Sequence, residues 1–174
     1  MRYFTPERLV RLGNLDDRDA FLAAHEDWER AVGEYQEQLR QIGPELPPGL
    51  RQLTGAVYLH DARVLDMWWG GRSQFTITLH PESDPSRLVV LSYSLSAPPE
   101  VKGGVLPESI LSQPVAWLYD ELDHAGDRFT HDILLSDGRE IRLHFRTVTV
   151  KRPVPLVPAG ATGPALSAPV RDSA

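Results

Sequence analysis

The sequence predicts an α+β domain in which N-terminal helices pack on one face of a mostly antiparallel sheet of about six strands. Three observations carry that expectation. Apolar residues recur at intervals of three and four from Phe21 to Ile42, the period of a helix with one buried stripe. From Ala56 onward the pattern changes to period two, with Phe75, Ile77 and Leu79 alternating with Thr76, Thr78 and His80. Finally, Phe129 to Phe145, FTHDILLSDGREIRLHF, reads as a β-hairpin whose own side chains choose its register.

Thr5-Pro6-Glu7 supplies an N-cap followed by proline at the first helical position, and Gly13 stops that short helix. A second helix starts at Asp16 and runs to about Ile42, where Gly43-Pro44 ends it. Its stripe of Phe21, Ala24, Trp28, Ala31 or Val32, Tyr35, Leu39 and Ile42 is expected to lie across the apolar face of the sheet. Leu46 to Gly49 is a stiff connection, and Leu50 to Leu53 adds a helical turn. Strands follow at Ala62 to Trp69, Gln74 to His80 and Leu88 to Leu95, with Gly70-Gly71 turning between the first two. Ala97 to Pro114 reads as a long proline- and glycine-rich loop. Val115 to Asp123 admits two readings. A helix opened by Pro114 would place Val115, Leu118 and Leu122 on one side, whereas a strand would align Trp117, Tyr119, Glu121 and Asp123 with the next strand. The strand is preferred.

Hairpin register follows from the loop. A two-residue Asp137-Gly138 turn would set Ile133 against Arg142 and mix apolar with charged side chains on both faces. A three-residue turn closed by Gly138 in the left-handed conformation pairs Ile133 with Ile141 and Phe129 with Phe145, leaving Asp132–Arg142 and Thr130–His144 on a solvated side. Adding the preceding strand places Trp117 opposite Leu135, Tyr119 opposite Ile133 and Glu121 opposite His131.

The 174 residues suffice for one domain, expected over residues 1–152. Residues 153–174, with Pro153, Pro155, Pro158, Pro164 and Pro169 among alanine, glycine and serine, are expected to be a disordered Pro/Ala-rich tail. A formal charge of −6 argues against a nucleic-acid partner, and Arg139, Arg142, Arg146, Lys151 and Arg152 read as a solvated face. With no cysteine there is no disulfide, thiolate metal site or cysteine nucleophile. The opening residues lack a signal-peptide pattern, and no apolar run is long enough for a membrane span, so a cytoplasmic protein is expected.

Candidate sites are few. His60 and Asp61 offer two metal ligands or a base beside a carboxylate, although neighbours on a strand point apart and Asp61 also suits a turn. Glu121 and His131, side by side in the expected register, would perturb one another, and with His60 approaching they would make a His/Asp/Glu metal cluster. The same pair also serves simply to satisfy two polar groups at the rim of a core. Asp120, Asp123 and Asp127 near His124 read as a solvated acidic loop, without the spacing of a calcium loop. Serines lack a GxSxG context, and Gly70-Gly71 and Gly103-Gly104 lack phosphate-loop patterns. Trp68 and Trp69 should point to opposite faces. One exposed tryptophan there would be a protein-contact residue, unless helices cover both faces.

Four segments together resemble an uncharacterised bacterial family of small proteins, a domain of unknown function. They are the opening Met-Arg-Tyr-Phe-Thr-Pro, Leu59-His60-Asp61-Ala62, Trp117-Leu118-Tyr119-Asp120-Glu121, and Phe129-Thr130-His131 with Ile133 to Gly138. The resemblance runs to about Val150. It implies a bacterial origin and one compact unit, and it transfers no catalytic residue. The first functional expectation is a non-enzymatic cytoplasmic protein that binds another protein, as accessory or immunity-type proteins do. The alternative is a metal-assisted hydrolase or lyase, with His60, Asp61, Glu121 and His131 holding one divalent ion. No other cofactor is expected.

Overall fold

Thr5 opens the first helix, α1 (Pro6–Leu12), accepting a hydrogen bond from the Arg8 amide with Pro6 at the first position. Asp17 opens α2 (Arg18–Ile42) by accepting from the amides of Asp19 and Ala20. A 3-10 turn (Gly43–Glu45) leads to α3 (Pro48–Ala56), a full helix where the sequence suggested one turn. Strands follow as β1 (Ala62–Gly70), β2 (Gln74–His80), β3 (Arg87–Leu95), β4 (Glu100–Lys102), β5 (Val115–Ala125), β6 (Arg128–Leu135) and β7 (Glu140–Pro155). The structure is a computed structural model, and it describes residues 1–71, 73–82, 87–106, 114–126 and 128–155. The class is α+β, with helices before an antiparallel sheet of seven strands among the described residues. The strand beyond the expected six is β4, inside the segment read as a loop.

What the sequence did not announce is that the sheet closes. Pairing runs β3-β2-β1-β5-β6-β7, and β7 then returns to β3, all antiparallel. The long β7 makes this possible. Its first half pairs with β6 through Phe145, and from Phe145 onward it pairs with β3. Closure turns the apolar face inward, where Phe75, Ile77, Leu91, Trp117, Ile133, Ile141, Leu143 and Phe145 are all but completely buried. Each such side chain contributes about 1.5–3 kcal/mol by leaving water, so this interior dominates the stability.

The helices cover the ring from outside and at its rim. α3 sends Leu50 and Leu53 into the barrel core. It approaches β7 so closely that a Cβ on Gly49 would stand 2.0 Å from the Val148 carbonyl oxygen, so only glycine fits. α2 builds a second cluster with the N-terminal segment: Trp28, Ala31 and Tyr35 pack with Tyr3, Phe4 and Tyr119. Tyr35 and Gln38 also serve β5, the former accepting from the Leu122 amide at 2.8 Å, the latter donating to the Leu122 carbonyl at 3.1 Å.

The β6–β7 hairpin has the expected register, Phe129 opposite Phe145 and Ile133 opposite Ile141, with Gly138 at φ 84° closing the three-residue turn. Its outer side is less solvated than expected. Asp132 is buried, gripped by Arg142 through Nε–Oδ1 at 2.6 Å and Nη2–Oδ2 at 2.8 Å. β7 continues to Pro155, opposite Arg87, so the first three residues assigned to the tail belong to the strand, with Val154 and Pro155 paired to β3. Residues 156–174 lie outside the described residues, as do Asp127 and residues 107–113 of the loop. No helix among the described residues is long and apolar enough to cross a membrane.

Candidate functional site

The chemistry of this protein is arranged around β5, and a bulge decides it. Trp117 pairs with Leu135 as expected, but Tyr119 pairs with Leu134, so Leu118 is an extra residue. Beyond it every side chain is turned over. Asp120 and Leu122 face the interior opposite Ile133 and His131, while Tyr119 and Glu121 face outward. The expected Glu121–His131 pair therefore does not form, because the extra residue moves Glu121 opposite Asp132.

Asp120 takes the place foreseen for Glu121. His131 is completely buried, and its Nε2 lies 3.0 Å from Asp120 Oδ2. On the far side of the ring, His131 Nδ1 lies 2.9 Å from the Tyr93 hydroxyl. Trp117 Nε1 donates to Asp120 Oδ1 at 3.0 Å. Burial pushes the Tyr93 phenol well above its ordinary value and the Asp120 charge adds to that, so Tyr93 keeps its O–H. That buried O–H needs an acceptor, which His131 Nδ1 provides, leaving Nε2–H to donate to Asp120. Asp120 thus accepts from Trp117 and His131 and has lone pairs to spare, its side chain 29% exposed. The sequence alone suggests a solvated acidic loop for Asp120. In the fold it is the outlet of a buried polar chain.

Glu121, on the outer side, has a different task. Oε2 accepts from the Arg2 amide, and Oε1 accepts from the amides of Tyr3 and Phe4, each at 2.6 Å. The N-terminal segment is thereby tied across β5. Glu121 and Asp132 stand opposite one another, an unfavourable pairing of like charges. It is offset by three amides on one carboxylate and the Arg142 guanidinium on the other. Burial alone would raise the Asp132 carboxyl, yet Arg142, together with the Met1 amino group 3.5 Å away, holds it below the usual carboxylate range.

Where Asp120 emerges there is an open cleft of about 340 Å³ between the helices and β5. Its rings are those of Phe4, Tyr35, Tyr58, His60 and Tyr119. Tyr119 is central, with ring centroids 5.3 Å from Phe4, 4.8 Å from Trp28 and 4.7 Å from His60. Burial, then the Asp61 charge, raises the Tyr119 phenol above its ordinary value. His60 and Asp61 form the turn before β1, closed by the Ala62 amide on the Leu59 carbonyl, with Asp61 at φ 62°. His60 Nδ1 donates to the carbonyl of the bulge residue Leu118 at 2.5 Å, which turns Nε2 toward Asp61 Oδ2 at 3.3 Å.

The structure thus keeps His60 with Asp61 and separates them from Glu121 and His131. Glu121 is committed to backbone amides, and His131 lies inside the barrel on a strand separated from β1 by β5. Among the described residues no group of three or more His, Asp and Glu side chains is placed to hold a metal ion. Trp68 and Trp69 point to opposite faces, as period two requires, but neither enters the core: they are 54% and 46% exposed. They lie past the short stretch, Ala62 to Val64, over which β5 pairs with β1 among the described residues. The Trp68 indole lies over Gly70, where an added Cβ would meet the ring at 2.0 Å.

Tyr93, Trp117 and Tyr119 were missed as site residues because each reads as ordinary strand hydrophobe. The bulge did leave a trace. Trp117 and Leu122, both inward, are five residues apart, an odd spacing that an unbroken strand cannot give. Neither a scan of protein-family models nor a search of curated proteins yields a match to this chain.

Proposed function

We propose that this is a non-enzymatic cytoplasmic protein that works by binding another protein, in the manner of accessory or immunity-type proteins, through the β1–β2 hairpin. The observation that carries the reading is the pair Trp68 and Trp69, adjacent on β1 and each about half exposed. Large aromatic surface left in water, here one ring on each face of the hairpin, is costly unless a partner covers it, and tryptophan is enriched at the energetic centres of interfaces. The net charge of −6 favours a protein partner over a nucleic acid.

The test is affinity capture from the native cell extract with wild type and with the Trp68→Ser/Trp69→Ser double variant. The variant should unfold within about 0.5 kcal/mol of wild type, because neither ring is in the core. A partner retained in stoichiometric amount by wild type and lost by the folded variant supports the reading. Identical capture by the two proteins contradicts it.

A further inference from the structure

We propose that the cleft beside β5 is a binding site for a small organic ammonium ion, with Asp120 as its anion and the surrounding rings as its walls. Three features point there together. The first is charge. Among the described residues Asp120 is the cleft's acidic side chain, neither lysine nor arginine lines it, and Asp120 ion-pairs only with His131. Phosphates and carboxylates would meet a like charge with no cation to receive them.

The second is that the carboxylate is fixed in advance. Trp117 and His131 each donate one hydrogen bond to it, and His131 is held in turn by Tyr93. A ligand therefore finds an oriented acceptor that needs no rearrangement. The buried chain ends in a residue that reaches the cleft, and satisfying an interior pair alone would not require that opening.

The third is the wall. Phe4, Tyr35, Tyr58, His60 and Tyr119 line a volume of about 340 Å³, which suits a small organic molecule. Aromatic rings attract cations through their quadrupoles, most strongly where water is partly excluded. A bare metal ion would want several carboxylate or imidazole ligands, and among the described residues no three His, Cys, Asp or Glu side chains are grouped to hold one. An alkylammonium gains from both the carboxylate and the rings. This site is on the opposite edge of β1 from the β2 pairing and uses neither Trp68 nor Trp69, so it stands independently of the protein-contact reading.

The experiment is an NMR titration of the full chain, reading the Trp117 indole N–H that donates to Asp120 and the Tyr119 amide. The probes are choline and benzylamine, each compared at equal ionic strength with a neutral counterpart, 3,3-dimethylbutan-1-ol and benzyl alcohol. The expected result is a saturable shift with at least one ammonium probe, binding about tenfold or more tighter than its neutral counterpart. Asp120→Asn should remove that preference. Tyr58→Ala, at an exposed position where folding is not at risk, should weaken the ammonium severalfold. The proposal is overturned if neither ammonium gives a saturable shift. It is overturned equally if the neutral counterparts bind as well, or if folded Asp120→Asn keeps the preference.

Discussion

Asp120 and Glu121 are neighbours in sequence, yet they lie on opposite sides of β5 and do opposite things. Asp120 faces the barrel interior, takes its hydrogen bonds from two side chains, and opens to a cleft. Glu121 faces the N-terminal segment, takes its bonds from three backbone amides, and is closed off from solvent. The difference teaches how a carboxylate's partners reveal its role. A carboxylate saturated by backbone amides is a clamp on the chain. One held by side chains with lone pairs remaining is a preset acceptor.

Breaking the clamp should have the largest effect. Glu121→Ala leaves three amides without their acceptor and should lower the unfolding free energy by about 3 kcal/mol, measured by urea unfolding. Glu121→Gln should recover part of it. A loss well under 1 kcal/mol in the alanine variant would mean that the N-terminal segment is not held by this residue. The interior chain comes next. His131→Phe strands the Tyr93 hydroxyl and should cost about 2 kcal/mol. Because Tyr93→Phe removes that orphan, the double variant should be less destabilised than the sum of the two singles. Strict additivity would show that the two residues do not act as one chain.

The smallest effect concerns Asp132, the partner of Glu121 across the ladder. Its carboxyl is held below the usual range in the fold. Its stabilisation is thus complete above the unfolded carboxylate value of about 3.9 and fades as pH falls through the lowered native value. Acid titrations of stability should show Asp132→Asn losing less than wild type in that window. Equal slopes would place the acid sensitivity elsewhere.

The β6–β7 hairpin was legible because one three-residue loop alone gave a consistent core face, and Phe129, Ile133, Ile141 and Phe145 sit where that logic puts them. The starts of α1 and α2 were legible, the first from Thr5-Pro6 and the second, one residue before the true cap Asp17, from Asp16. Two things were hidden for physical reasons. Closure depends on β7 continuing past Phe145 to meet β3, a non-local pairing that alternation within one strand does not encode. The bulge at Leu118 inverts Asp120 and Glu121, and its only local signal is the odd spacing between Trp117 and Leu122. Of the residues first considered for a site, His60 lines the cleft, while Glu121 and His131 turned out to belong to two different networks.

The most direct measurement is the tautomer of His131, read from its ring nitrogens by long-range proton–nitrogen NMR at neutral pH. The expected result is a proton on Nε2 and a bare, accepting Nδ1, with Tyr93 as donor and Asp120 as a carboxylate accepting from both sides. A proton on Nδ1 with a bare Nε2 would reverse the chain, require Asp120 itself to donate, and contradict its role as a preset anion at the floor of the cleft.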